Sequence, residues 1–124
     1  MNAADTRALL EDVHAAYNTQ INDVLLCALL SAYHAWSGSE QLCLNLEGHG
    51  REELFDRIDL SRTVGWFTSI FPVNLQVGSD IEQTLIAVKE TLNAIPNKGV
   101  GFGVLRYLHP DNNVRAALNP LNRD

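Results

Sequence analysis

The sequence is short of cysteine, of clustered positive charge and of long apolar runs, and each shortage closes off a class of protein. Cys27 and Cys43 are its two cysteines, and their spacing suits neither a zinc site nor a disulfide framework. Both sit among leucines, in "LLCALL" and "LCLNL", which reads as a pair of buried free thiols in a reducing compartment. Nine Lys and Arg face fifteen Asp and Glu, for a net charge of −6. The basic residues are scattered beside acidic ones, as in "REELFDRIDLSR", so the footprint of a nucleic-acid binder is missing. No run approaches the roughly 18–20 apolar residues a membrane span needs. "MNAADTRALL" has no apolar h-region of a secretory signal. A cytoplasmic location without membrane contact is the expectation. The four histidines, His14, His34, His49 and His109, show no metal-ligand spacing. A G-x-S-x-G nucleophile elbow is also missing, and Ser61 and Ser69 carry no local sign of activation.

What is present is a globular composition, 46% hydrophobic and 19% charged over 124 residues. That is one domain or a piece of one, large enough to bury a core without disulfides. Leu9, Leu10, Val13, Ala16 and Tyr17 predict a helix over 6–17. "NTQIND" interrupts the pattern and offers Thr19 or Asn22 as a helix cap. A second helix runs to about Trp36 and ends at Gly38. Its stripe of Leu25, Leu29, Ala32 and Trp36 is widened by Leu26, Leu30 and Tyr33, which predicts burial on more than one side.

"QLCLNLEG" (41–48) alternates with period two. Leu42, Leu44 and Leu46 point one way and Cys43, Asn45 and Glu47 the other, as a strand requires. "REELFDRIDLSRTVG" reads as a loop or a short turn of helix. "WFTSIFPVNLQV" (66–77) reads as a strand covered on both sides, with Pro72 marking a bulge, an edge or the strand end. "GSDIEQTLIAVKETLNAIP" is the clearest helix: Ser79 and Glu82 suggest a capping box, Ile81, Leu85, Val88, Leu92 and Ile95 one stripe, and Pro96 the stop. A glycine-rich loop, "NKGVGFG", leads into a short helical or extended segment, and the tail is polar with no strong signal. The fold class is α/β, with too few strands for a self-sufficient sheet. Partner strands or a partner lobe are expected to complete it.

"EGHGRE" (47–52) concentrates chemistry at the end of the first strand. Its glycines suit a tight turn or close approach of another backbone. A turn is the commoner reading; the functional one is that its first carboxylate, Glu47, points into a cleft. A carboxylate works as a general base near neutral pH when burial lifts it from about 4.3 towards roughly 6–7. His49 is placed to tune or orient Glu47, or to bond a substrate. Arg51 is placed to pair with Glu47, Glu52 or Glu53, or to anchor the turn. "PNKGVGFG" is neither G-x-G-x-x-G, because Val104 holds the last position, nor a Walker loop, because Lys98 precedes its glycines. "RTVGWFTS" is compatible with core packing around a buried arginine. These patterns yield one candidate catalytic carboxylate and no reaction.

Together, "EGHGRE" (47–52), "RTVGWFTSIFPV" (62–73) and "PNKGVGFG" (96–103) resemble, in order, signature motifs of the epimerization domains of nonribosomal peptide synthetases. "INDVLLCAL" (21–29) resembles an earlier motif of the set, so the likeness runs from about Thr19 to Leu108. The superfamily also contains condensation and cyclization domains and has the chloramphenicol acetyltransferase-like fold. "EGHGRE" and "RTVGWFTS" favour its epimerization branch. The hallmark H-H-x-x-x-D-G of the N-terminal lobe and the final "FNYLG"-like motif are absent from these 124 residues. The resemblance therefore implies a fragment, the early C-terminal lobe, inactive alone.

For the whole domain it implies inversion of the Cα stereocentre of an aminoacyl or peptidyl thioester. The substrate would hang on the 4'-phosphopantetheine of a peptidyl carrier protein, with no cofactor bound to the domain itself. Glu47 matches the family's catalytic glutamate, and its partner is a histidine of the N-terminal lobe. His49, Arg51, Asn45, Trp66, Thr68, Asn97 and Lys98 are the supporting or channel candidates. The alternatives are a peptide-bond-forming condensation domain and a non-catalytic remnant that docks a carrier protein.

Overall fold

The computed structural model describes residues 2–13, 17–52, 54 and 58–119. They fall into two compact units, Met1–Leu42 with Asn74–Ala94, and Cys43–Val73 with Ile95–Asp124. A short helix, α1 (Ala3–Arg7), opens the first unit. The Asn2 side chain caps it by accepting the Asp5 N–H at 2.9 Å. A π-helical turn, Ala8–Asp12, continues it in place of the regular helix expected over 6–17. Ala16 of that expectation lies outside the described residues.

Helix α2 spans Ile21–Ser37. Neither Thr19 nor Asn22 caps it: the buried Asp23 carboxylate reaches back to the Gln20 N–H at 2.7 Å. Gly38, at φ 73°, ends it as expected, and its N–H bonds the His34 carbonyl at 2.8 Å. Helix α3 spans Ile81–Asn93 and packs on α2. Its cap is Asp80, which accepts the Gln83 N–H at 2.8 Å, and not a Ser79–Glu82 box. The carboxylate of Asp80 reaches that amide from the cap position, which shifts the helix start by one residue.

Leu30, Leu75, Val88 and Thr84 are the most deeply buried large side chains of this unit. The Thr84 hydroxyl is satisfied twice, accepting the Gly78 N–H at 3.0 Å and donating to the Asp80 carbonyl at 2.7 Å. Leu30→Ala should cost about 2–5 kcal/mol, read as a lower denaturation midpoint of the intact domain. Cys27 is a buried free thiol as expected, and burial pushes the thiol above its ordinary range. The wide apolar face of α2 is not covered all round. Cys27 and Leu30 are buried, but Leu25, Leu29 and Trp36 are 49%, 50% and 83% exposed. Only one side of α2 finds a packing partner among the described residues. The same holds along α3, where Val88 is buried and Ile81 exposed.

Strands β1 (Gln41–Gly48) and β2 (Ser69–Gln76) pair in one two-stranded sheet. The Val77 N–H bonds the Glu40 carbonyl at 2.9 Å, at the start of β1. At its other end, Gly48 lies against Ser69, so the strands run antiparallel. Counting from the Glu40 bond, residues 71, 73 and 75 direct their N–H groups at β1. Pro72, which has none, falls at an outward position where nothing is lost. β2 is three residues shorter at its start than expected, because Trp66 to Thr68 lie outside the ladder. Nor is it covered on both sides: Phe71, Val73 and Leu75 are buried while Ile70 is exposed.

The second unit continues through a turn at Pro96–Gly99 into α4 (Val100–Leu108). The glycine-rich segment is thus helical through Gly101 and Gly103. A further helix, α5 (Asn112–Leu118), packs on α4 within the tail that carried no strong signal. Asp111 caps it through the Asn113 N–H at 2.8 Å. Between β1 and β2 the described residues form no helix or strand. No helix of the described residues is long and apolar enough to cross a membrane.

Candidate functional site

The site is built at the end of β1, within the second unit. Exposure alternates along the whole strand: Leu42, Leu44 and Leu46 are half-buried, while Cys43, Asn45 and Glu47 are exposed. The period-two reading of "QLCLNLEG" therefore holds, and Glu47 stands on the open face beside Asn45. Cys43 is exposed there as well, which corrects its expected burial. Its flanking leucines occupy the opposite face, so leucine neighbours in sequence do not bury it. Asn45 makes an interaction of its own. Among the described residues Glu47 has no ion pair or side-chain hydrogen bond. They leave it open to solvent, so any desolvation of it must come from elsewhere.

The loop that leaves β1 is tightly held. A Cβ on Gly48 would lie 2.9 Å from the Ser69 Oγ and 3.5 Å from the Lys98 carbonyl. The Lys98 carbonyl, in the turn after α3, thus lies beside the residue that follows Glu47 at ordinary contact distance. Arg51 anchors the loop as one of its expected roles proposed. Its guanidinium donates to the carbonyls of Leu60 at 2.6 Å and Gly65 at 3.3 Å. It also stacks 4.2 Å above the Phe67 ring. It pairs with neither Glu47 nor Glu52; Glu53 lies outside the described residues.

His49 does not turn to Glu47. Its Nε2 lies 3.1 Å from Glu52 Oε1, and its Nδ1 accepts the Arg51 N–H at 3.0 Å. The other Glu52 oxygen, Oε2, lies 3.9 Å from Lys98 Nζ. Glu52 therefore joins two of the expected residues, and sequence reasoning had passed over it except as a partner for Arg51. The signal that could have found it is its place at the end of "EGHGRE", three residues from His49.

Asn97 and Lys98 both adopt left-handed backbone, at φ 48° each, and Gly99 follows at φ 82°. Non-glycine residues rarely hold this conformation, at about 1–2 kcal/mol each, unless their surroundings enforce it. Asn97 and Lys98 are exposed, and Gly99 is buried under Phe71. Trp66 is 89% exposed, and Thr68 is half-buried. Neither is joined to Glu47 by a hydrogen bond, ion pair or ring contact among the described residues. The eight expected residues thus separate into a face with Glu47 and Asn45, a clamp with His49, Arg51 and Lys98, and Trp66, Thr68 and Asn97 outside both.

Fold and site define a mixed α/β domain fragment with a carboxylate presented at a clamped strand end. Residues 2–121 match the Condensation domain family, and the chain belongs to it. It is 51% identical over 126 residues to one of the linear gramicidin synthase proteins of Brevibacillus parabrevis, covering all of this chain and 2% of that protein. It is 48% identical over 120 residues to bacitracin synthase 3 of Bacillus licheniformis, covering 94% of this chain and 2% of that one. Among solved structures it resembles the epimerization domain from the third module of tyrocidine synthetase B, with a TM-score of 0.82 and 41% identity. That match covers 90% of this chain and 25% of the solved one. The chain has a condensation/epimerization fold, of which these residues form a part, and spans about 2% of the length of the synthases it matches.

Proposed function

We propose that this chain is part of the C-terminal lobe of an epimerization domain, in which Glu47 exchanges the Cα proton of a carrier-bound thioester. The supporting observation is the placement of Glu47: exposed, on the open face of β1, at the start of a loop fixed by Arg51, His49 and Glu52. The likeness to a solved epimerization domain supports the same branch.

Inversion of a stereocentre needs proton exchange on both faces of a planar carbon. One group removes the Cα proton, and the electron pair delocalises onto the thioester oxygen. A second group, on the opposite face, returns a proton to Cα. A carboxylate on one lobe and a histidine on the facing lobe fulfil this better than two neighbours on one strand. Donors must stabilise the developing oxyanion, and Asn97 or backbone N–H groups of the 96–99 turn are candidates. Asn45, Trp66, Thr68 and Lys98 would line or support the channel, with His49 and Arg51 holding the loop. The substrate would arrive on the 4'-phosphopantetheine of a peptidyl carrier protein in the cytoplasm, with no cofactor held by the domain.

The match to the Condensation domain family keeps peptide-bond formation as the second reading, in which the histidine of the other lobe serves an attacking amine. Incubation of the intact domain with a carrier-bound L-aminoacyl or L-peptidyl thioester, together with a second aminoacyl-loaded carrier that offers a free amine, in deuterated water decides between them. Deuterium at Cα and a mixture of L and D forms support epimerization. A longer peptide with an unlabelled Cα overturns it, and carrier binding with neither product would mark a docking remnant.

A further inference from the structure

The geometry points to Glu52 as a positioning residue that fixes the Glu47 strand end through His49 and the Lys98 turn. The inference rests on the epimerization reading above and concerns a residue outside its proton-transfer pair. The Glu52 side chain is 16% exposed, so its charge requires partners, and its two oxygens take different ones. Oε1 meets His49 Nε2 at 3.1 Å, and Oε2 faces Lys98 Nζ at 3.9 Å. His49 Nδ1 accepts the Arg51 N–H at 3.0 Å, so that nitrogen carries no proton. A single tautomer, with the proton on Nε2 and donated to Glu52, satisfies both contacts.

Each partner leads back to the strand end. His49 is two residues beyond Glu47, on the loop that Arg51 binds to Leu60 and Gly65. Lys98 sits in the left-handed turn whose carbonyl packs on the Gly48 position. Glu52 therefore links, through its two carboxylate oxygens, the loop and the turn that flank the residue after Glu47. Its removal would let the loop and the turn separate and would let the Glu47 carboxylate wander. A displacement of about 1 Å at a reacting group can cost about a hundredfold in rate.

The test uses the intact epimerization domain with its carrier-bound substrate. Glu52→Ala should slow α-proton exchange at saturating substrate by about ten- to a hundredfold, with KM little changed. Glu52→Gln keeps an acceptor for the Nε2 proton and should restore most of the rate. The ¹⁵N spectrum of the His49 ring, recorded well above the ordinary titration range of histidine, gives a readout independent of turnover. It should show a hydrogen-bonded Nε2 in the unaltered domain and in Glu52→Gln, and an Nε2 resonance shifted by loss of its acceptor in Glu52→Ala, with the Nε2–H tautomer kept by the Arg51 N–H throughout.

Unaltered exchange in Glu52→Ala, or an unaltered His49 spectrum, overturns the inference. So does a Glu52→Gln variant as slow as Glu52→Ala. Should Glu52→Ala fail to fold, Lys98→Met carries the test: it should slow exchange while leaving the His49 Nε2 resonance in place, and unslowed exchange overturns the role of the turn. The two readings fail separately. A fully active Glu47→Gln domain sinks the epimerization assignment of Glu47. An inactive Glu47→Gln beside a fully active Glu52→Ala sinks this inference alone.

Discussion

Glu47→Gln in the intact domain is expected to slow exchange of the Cα proton with solvent by about 10²–10⁴-fold, the range in which a positioned acid or base contributes. The substitution keeps size and shape and removes only the capacity to take up and release a proton. It should cost little else. Glu47 is exposed and makes no ion pair or side-chain hydrogen bond among the described residues, so stability should stay within about 0.5 kcal/mol of the unaltered domain. Binding of the loaded carrier should be equally unaffected. The measurement is the rate of deuterium uptake at Cα, beside a thermal melt and a carrier-binding isotherm. A large rate loss with unchanged melting and binding assigns Glu47 to the chemical step. Uptake at the unaltered rate removes it from the mechanism.

Gly50→Ala is expected to be the most disruptive small substitution in the site, for a reason of space and backbone. Gly50 adopts φ +66°, and a Cβ there would run into the carbonyl oxygen of Phe67. The obstacle is main chain, so no rotamer change relieves it. The left-handed backbone adds about 1–2 kcal/mol for a residue with a side chain, and overpacking typically about 1–3 kcal/mol. To admit the methyl group the loop must move off the segment that leads into β2. That motion would also pull Arg51 from the Phe67 ring it covers at 4.2 Å. Loss of stability and slowed α-proton exchange should appear together, whereas Glu47→Gln separates them. Gly101→Ala is the control. It lies in α4 with nothing within 4 Å of a built Cβ, and alanine in a helix is favoured over glycine by about 1 kcal/mol. A Gly50→Ala domain as stable as the Gly101→Ala domain would contradict the close approach of the loop to Phe67.

Local pattern carried a good part of the fold. Strand β1 runs over the eight residues whose alternation announced it, because one half-buried face and one open face imprint period two directly. Helix α3 and its stop before Pro96 were legible for a similar reason. What local pattern misjudged was coverage. Leu25, Leu29, Trp36 and Ile70 read as core, yet they are exposed, since an apolar side chain signals a tendency to be buried and not the presence of a partner. Caps were missed by a residue or more because several polar side chains compete for the same first-turn amides. Asp80 took the place predicted for Ser79, and Asp23 the work predicted for Thr19 or Asn22.

The site shows the same division. The order of "EGHGRE", "RTVGWFTS" and "PNKGVGFG" along the chain already pointed to the family to which the chain belongs. The alternation of β1 by itself put Glu47 on the face opposite the leucines. These properties depend on residue identity and on neighbours a few positions away, so the sequence alone determines them. The tertiary structure decided who meets whom. It turned His49 to Glu52 and away from Glu47, spent Arg51 on two carbonyls and a phenyl ring, and brought Lys98 within 3.9 Å of a carboxylate 46 positions earlier. Such contacts join segments distant in the chain. Their geometry is set by chain reversal and close packing, at Gly48 against Ser69 and at Gly99 beneath Phe71, and no local periodicity encodes it.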